Sequence, residues 1–330
     1  MLRVTLFALV LAVSATAQPT PFAAVVRQTF ADLLKVPLAP PEVDVKVAST
    51  KTEDGLVIED LSWESLDGEI VPAYLIRPAQ ARGPLPAVIC LHGSSGSRES
   101  MATATFGPGE WTTPGAAAPH QRMLGWAREL ARRGYVALAI TQRGLDRRGP
   151  AINTQANLLL IQGRTAMGAV LYEIRQGVTY LGRRPEVDAQ RIATTGMSFG
   201  GITSFYSWLL DDRIRLAAPI CGGVGSLAVF LEKAQRHSYH GTYWWVPDML
   251  LKGDQGDFAA ALAPRPLMLW APTEDIGMPR EGVDRFVQQV RPAYERAGAA
   301  DAFEVRQPAG EHSFTPEAFE ALTAFLGRRL

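Results

Sequence analysis

"ATTGMSFGGITSF", residues 193–205, decides how the rest of the chain is read. Gly196, Ser198 and Gly200 fit G-x-S-x-G, and Gly201 adds a further glycine. The motif has a mechanical meaning only between a strand and a helix, where a strained turn lifts a serine above a sheet. Here the flanks supply both: "RIATTG" (191–196) reads as a strand, and the periodicity after it predicts a helix from about Ser198 to Leu210. Gly196 and Gly200 let strand and helix approach closely. The helix N-terminus brings a positive dipole end and free N–H groups beside the serine. Ser198 is the candidate nucleophile.

Outward from this turn, strands and helices alternate. "PLPAVICLHG" (84–93) and "YVALAITQRG" (135–144) read as buried strands, and "HQRMLGWARELARRG" (120–134) between them as an amphipathic helix. A long helix is expected over 164–184. Strands follow over 214–221, 266–272 and 302–308, with helices near 281–298 and 316–329. Upstream, 22–38 has helical spacing, and 56–79 reads as a hairpin turning at Asp67-Gly68. Continuous apolar strands alternating with helices imply an α/β fold: a mostly parallel sheet of about eight strands, covered by helices on both faces. Two segments interrupt the alternation and read as surface loop or lid insertions, near 95–119 and 222–263.

A serine nucleophile needs a base, and the base needs an orienting acid. On a strand–turn–helix scaffold the chain order is serine, acid, histidine. Of the five histidines, His92, His120, His237, His240 and His312, only His312 follows both Ser198 and a strand-end acid. It stands in "PAGEHSF", before the last helix. "PLMLWAPTEDIGMP" offers Glu274 and Asp275; Asp275, further into the turn, is the preferred acid, with Glu274 as the alternative. An oxyanion hole needs two backbone N–H groups. Phe199, directly after the serine, and Ser94 in "CLHGSSG" are the expected donors. His92 reads as a brace for that loop. His237 and His240 have a spacing that could hold a metal on a helix, but no third ligand stands out, so no metal site is assigned. Tyr243, Trp244 and Trp245 could line a substrate pocket or form the core of a lid. Arg143 and Arg147 read as packing or solvated at a strand end.

Composition sets the frame. The chain has 330 residues, 47% hydrophobic, enough for one large domain or two small ones. Thirty-three basic residues balance 33 acidic ones, so nothing points to nucleic acid or an anionic membrane. Residues 1–17 have the form of an export signal: Arg3, an apolar run from Val4 to Val13, then Ala15-Thr16-Ala17. The run is too short for a membrane span, which needs roughly 20 apolar residues, and no cysteine near the cleavage point offers a lipid anchor. The mature chain is expected to begin near Gln18, in the periplasm or outside the cell. An N-terminal helical segment (18–44) and a catalytic domain (45–330) would follow.

"CLHG", "PEVDAQRIATTGMSFGG", "APRPLMLWAPTEDIGMP" and "GEHSF" together resemble the α/β-hydrolase superfamily. Within it the chain resembles the branch of dienelactone-hydrolase-like and acetyl-xylan-esterase-like proteins. The stretch "YHGTYWWVPDMLLKGDQGDFAAALAPRP" is similar to segments of its secreted bacterial members. The resemblance spans about residues 45–330. It implies Ser198 as nucleophile, Asp275 as acid, His312 as base, and Phe199 and Ser94 as oxyanion donors. Dienelactone hydrolases proper use a cysteine; Ser198 in that place argues against the namesake reaction and toward ordinary ester hydrolysis. The family often has Asp where this chain has Thr141-Gln142, which implies a changed pocket rim. The superfamily's strand order puts the Cys90 and Cys221 strands two apart, about 10 Å, whereas a disulfide needs Cα atoms within about 7 Å. Two free buried thiols are expected.

The reading is a secreted serine carboxylesterase acting through an acyl-enzyme on a small-molecule or carbohydrate ester, acetylated sugars among the candidates, without cofactor. A serine peptidase of the prolyl-oligopeptidase type has the same turn and triad order, but normally carries a large propeller domain. A non-catalytic binding protein on this scaffold would typically have lost a triad member.

Overall fold

The computed structural model describes residues 21–111, 120–234 and 240–330. The expected signal and His237 lie outside the described residues.

Apolar β-branched runs become strands, and polar turns separate them. Helix α1 (Pro21–Leu34) precedes an antiparallel meander of β1 (Val45–Glu53), β2 (Leu56–Glu64) and β3 (Ile70–Pro78). Strand β4 (Leu85–Leu91) begins the parallel part. It is followed by α2 (Arg98–Ala102), β5 (Gly107–Trp111), β6 (His120–Leu124), α3 (Trp126–Arg132) and β7 (Val136–Ile140). Then come α4 (Ile152–Ile161), α5 (Ala166–Gly182), β8 (Val187–Met197), α6 (Phe199–Leu210) and β9 (Ile214–Ile220). Three short helices, α7 (Leu227–Ala234), α8 (Met249–Lys252) and α9 (Gln255–Ala260), lead to β10 (Leu267–Trp270). The chain closes with α10 (Arg280–Arg296), β11 (Phe303–Arg306) and α11 (Pro316–Arg329).

The main sheet has nine strands in the order β1-β2-β3-β7-β4-β8-β9-β10-β11. Every pairing from β7 to β11 is parallel. All five residues of β7 are buried, so helices cover both faces of the sheet, as continuous apolar strands require. The architecture is the α/β-hydrolase fold. Chain order reverses around β4: it passes to β7 on one side and returns to β8 on the other. In open α/β sheets, sites form in the crevice beyond the carboxyl ends of strands at such a reversal. His92–Gly96 and Ser198 leave the sheet there.

Four expectations change. The sheet gains a ninth strand, β1, whose mostly exposed residues hide it from an apolar-run search. The helix expected over 120–134 is a strand and a shorter helix. Gly125 takes a left-handed φ of 65°, and a side chain there would meet the Thr105 carbonyl at 2.4 Å, so β6 ends and α3 starts at Trp126. The 95–119 loop contains α2 and β5. Helix α4, in the stretch left unassigned after 144, completes the alternation. Cys90 on β4 and Cys221 after β9 are both buried and free, with β8 between their strands.

Candidate active site

Ser198 sits at φ 56°, ψ −117°, a conformation that costs a non-glycine residue on the order of 1–3 kcal/mol. Its surroundings hold it there. Its N–H donates to the Ile220 carbonyl at 2.9 Å, and its carbonyl accepts from Gly201 and Ile202. The flanking glycines exist for contact with β4. A Cβ on Gly196 would lie 2.3 Å from the Leu91 carbonyl oxygen, and one on Gly200 only 2.0 Å from it. Any larger residue would push the turn off the strand that delivers the His92–Gly93 loop.

That loop is tied down by a buried chain of hydrogen bonds. His92 Nε2 accepts from the Gln142 N–H at 3.0 Å, so Nδ1 carries the proton and donates to the Gly93 carbonyl at 2.7 Å. Burial keeps the ring neutral, with a pKa pushed down to about 4. The Gln142 side chain donates to the His92 carbonyl at 2.5 Å and accepts from Thr203 Oγ on α6 at 2.8 Å. Gln142 is therefore no rim residue. It is 1% exposed and bolts the loop after β4 to the helix after Ser198. Phe199 opens α6, where the first N–H groups have no carbonyl one turn behind them. Ser94 shares a cavity with Ser198, and its side chain is hydrogen bonded to Tyr243.

Asp275 and His312 are brought together by two loops joined through their backbones. The Thr273 N–H donates to the Pro308 carbonyl and the Glu274 N–H to the Gly310 carbonyl, each at 2.9 Å. Asp275 Oδ1 accepts from the Gly277 N–H at 2.8 Å, and Oδ2 faces His312 Nδ1 at 2.8 Å. The Asp275 side chain is fully buried, whereas Glu274 is exposed and contributes its backbone rather than its carboxylate. Burial pushes the His312 pKa down, but the charge and hydrogen bond of Asp275 outweigh this and leave it above the ordinary value. The pair sits over the carboxyl end of the sheet, and Phe314, two residues beyond His312, lines the Ser198 cavity.

That cavity is small, about 30 Å³. Its apolar wall is Met101, Met123, Trp126, Met197 and Phe314, with Ser94 and Gly93 at the polar end. Tyr243 and Trp244 do not line it. Both are buried, packed on Phe199 with ring centroids 5.2 and 5.8 Å away, so they are the core of the second insertion. Trp245 is half-buried. His240 stacks on Trp244 at 3.7 Å, and burial with the nearby His312 brings its pKa to about 4. Arg143 is a structural anchor. It is 3% exposed and bonds Asp67 at 2.6 Å, Glu69 at 2.8 Å and Glu173 at 2.8 Å. Arg147 is exposed.

One further residue borders this pair without a signal in the sequence. Cys221, just past β9, takes a left-handed φ of 48°, and its Sγ lies 3.3 Å from the Ser313 carbonyl and against Asp275. Burial and the Asp275 charge push its thiol pKa well up, so it is a neutral thiol behind the acid. Only the order of β9 next to β10, and the loop of His312 folding over both, could reveal it.

The Abhydrolase family model matches residues 13–320. The chain belongs to this α/β-hydrolase family. The Bacillus subtilis protein named "Putative hydrolase YtaP" is 28% identical over 271 residues, which cover 82% of this chain and 87% of that one. A solved structure described as a "putative acetyl xylan esterase" from Bacteroides fragilis superposes with TM-score 0.73 at 18% identity, covering 94% of this chain and 89% of that one. A glucuronoyl esterase from Solibacter usitatus gives 0.66 at 15% identity, covering 92% and 91%. At these identities the two structures speak for the fold.

Proposed function

We propose that this member of the family is an exported serine carboxylesterase that removes short acyl groups, acetyl foremost, from carbohydrate or other small alcohols. One observation carries the reading. A serine in a strained strand-to-helix turn and a histidine held at 2.8 Å by a fully buried aspartate both stand on loops at the carboxyl end of the parallel strands. In the proposed reaction His312 takes the Ser198 proton while Asp275 holds the ring in the tautomer with Nδ1 protonated. Ser198 attacks the ester carbonyl, and the Phe199 and Ser94 N–H groups stabilise the oxyanion. His312 returns the proton to the leaving alcohol, and water then frees the acyl group with the same base.

The cavity beside Ser198 supports the short-acyl part. A water needs about 10–15 Å³ of such space, so about 30 Å³ fits only a few heavy atoms. The names of the structural neighbours, acetyl xylan and glucuronoyl esterases, favour a carbohydrate ester. Export rests on the form of residues 1–17; among the described residues no helix is long and apolar enough to cross a membrane. Residues 45–330 would act as one catalytic domain. The test is a p-nitrophenyl ester series on the purified chain, with Ser198→Ala beside it. Turnover should fall by several orders of magnitude in the variant. Equal rates in the two proteins overturn the proposal.

A further inference from the structure

The geometry points to a site for a thiophilic divalent cation, of the zinc and cadmium class, built from Cys221 Sγ, the Asp275 carboxylate and His312 Nδ1, whose filling silences the base. Sulfur, oxygen and nitrogen ligand atoms of these three residues all lie within 4.8 Å of one another. This is the donor set that zinc selects, at bond lengths of about 2.0–2.3 Å. Around such an ion the ligand atoms stand about 3.5 Å apart. Closing the set takes a contraction of roughly 1.3 Å from the widest spacing and an opening of roughly 0.7 Å between Asp275 Oδ2 and His312 Nδ1, and His312, on a loop, can supply both. Cys221 and Asp275 are buried, while the His312 side chain keeps 19% of its surface and marks the way in. Outside Asp275 lies an open concavity lined by Glu232, Thr273, Glu274 and Ile276. Among the described residues that line it, the one basic side chain, Lys233, is paired with Glu281, and Glu232 and Glu274 add negative charge.

The consequence for His312 is a matter of protons. The ion takes the Nδ1 lone pair in place of the Asp275 hydrogen bond. The neutral ring has one proton, which then resides on Nε2. Nε2 becomes a donor and can no longer accept from Ser198. The Cys221 thiol gives its proton to solvent as the thiolate binds, so one proton is released per ion. The silencing half rests on the serine-hydrolase reading; the binding half does not.

Cadmium titration of the full chain tests both. One equivalent should raise a thiolate-to-cadmium charge-transfer absorption. Ester hydrolysis should fall at least about tenfold and return with a chelator. Changing even an outer-sphere partner of a metal site costs about 10–100-fold in affinity. Cys221→Ala and Cys221→Ser should therefore lose the absorption and need at least about tenfold more cadmium for half-inhibition, each compared with its own untreated rate. Circular dichroism establishes that either variant is folded, and the serine variant keeps the shape if alanine does not. No absorption in the wild type, absorption that survives in a folded Cys221 variant, or unchanged half-inhibition overturns the site. If no ester is hydrolysed at all, the absorption still decides the cation site, and the esterase reading falls by itself.

Discussion

Met101 should set how long an acyl chain the enzyme accepts. It is 1% exposed on α2 and forms part of the apolar wall beside Ser198. Met101→Ala removes Cγ, Sδ and Cε, more than the two methylenes that separate butyryl from acetyl. Each methylene newly buried in the enlarged cavity is worth about 0.8 kcal/mol. Two give about 1.6 kcal/mol, and at about 1.4 kcal/mol per factor of ten this is about 15-fold. The ratio of kcat/KM for butyrate over acetate p-nitrophenyl esters should rise by about that factor. Truncating a buried methionine also costs about 2–5 kcal/mol of stability, so the assay belongs well below a melting temperature measured on the variant. A folded Met101→Ala protein whose butyrate-to-acetate ratio stays at the wild-type value would refute the assignment of this cavity to the acyl group.

Asp275→Asn should lower kcat by up to about 10⁴-fold, the scale of a misplaced tautomer in comparable triads. It should also move the acid limb of the kcat/KM profile. With Asp275 present, activity falls as pH drops through the raised His312 pKa; without its charge, burial dominates and the limb shifts to lower pH. An unmoved limb would mean that His312 is not the titrating base. Gln142→Leu leaves the buried His92 carbonyl without its side-chain donor, at about 1–3 kcal/mol, while the Thr203 hydroxyl keeps the Phe199 carbonyl at 2.9 Å as its acceptor. Denaturant unfolding should show that loss; a change within about 0.5 kcal/mol, the range of ordinary surface substitutions, contradicts the bolt. Arg143→Met strips a cation from the buried Glu173, leaving only Arg148 at 2.7 Å. The expected destabilisation is about 3–5 kcal/mol, partly recovered by adding Glu173→Leu. An undiminished melting temperature in the single variant would show that the network is not an anchor.

Much of this was legible in the sequence because it depends on local chemistry. Strands buried on both faces must be continuously apolar, so β4, β7 and β9 announce themselves. The turn at Ser198 needs its glycines at 196 and 200 whatever lies elsewhere, and Asp275 and His312 stand at strand ends in the expected order. Exposed β1 carries no such pattern, and a left-handed Gly125 cuts a helix that periodicity alone would extend.

What depends on neighbours in space could only come from the tertiary structure. Asp275 is separated from Glu274 by which carboxylate the zipped loops turn inward. Gln142 reads as a rim residue from its place at a strand end, whereas its amide bonds His92 and Thr203 in the interior. Tyr243 and Trp244 proved to be lid core because Phe199 lies beneath them. Cys221 reads as one more apolar strand-end residue, and only the adjacency of β9 and β10 places its sulfur against the acid and base. Backbone propensity and burial pattern act over a few residues and are written in order along the chain. Contacts between loops tens of residues apart are set by sheet order, which no short stretch contains.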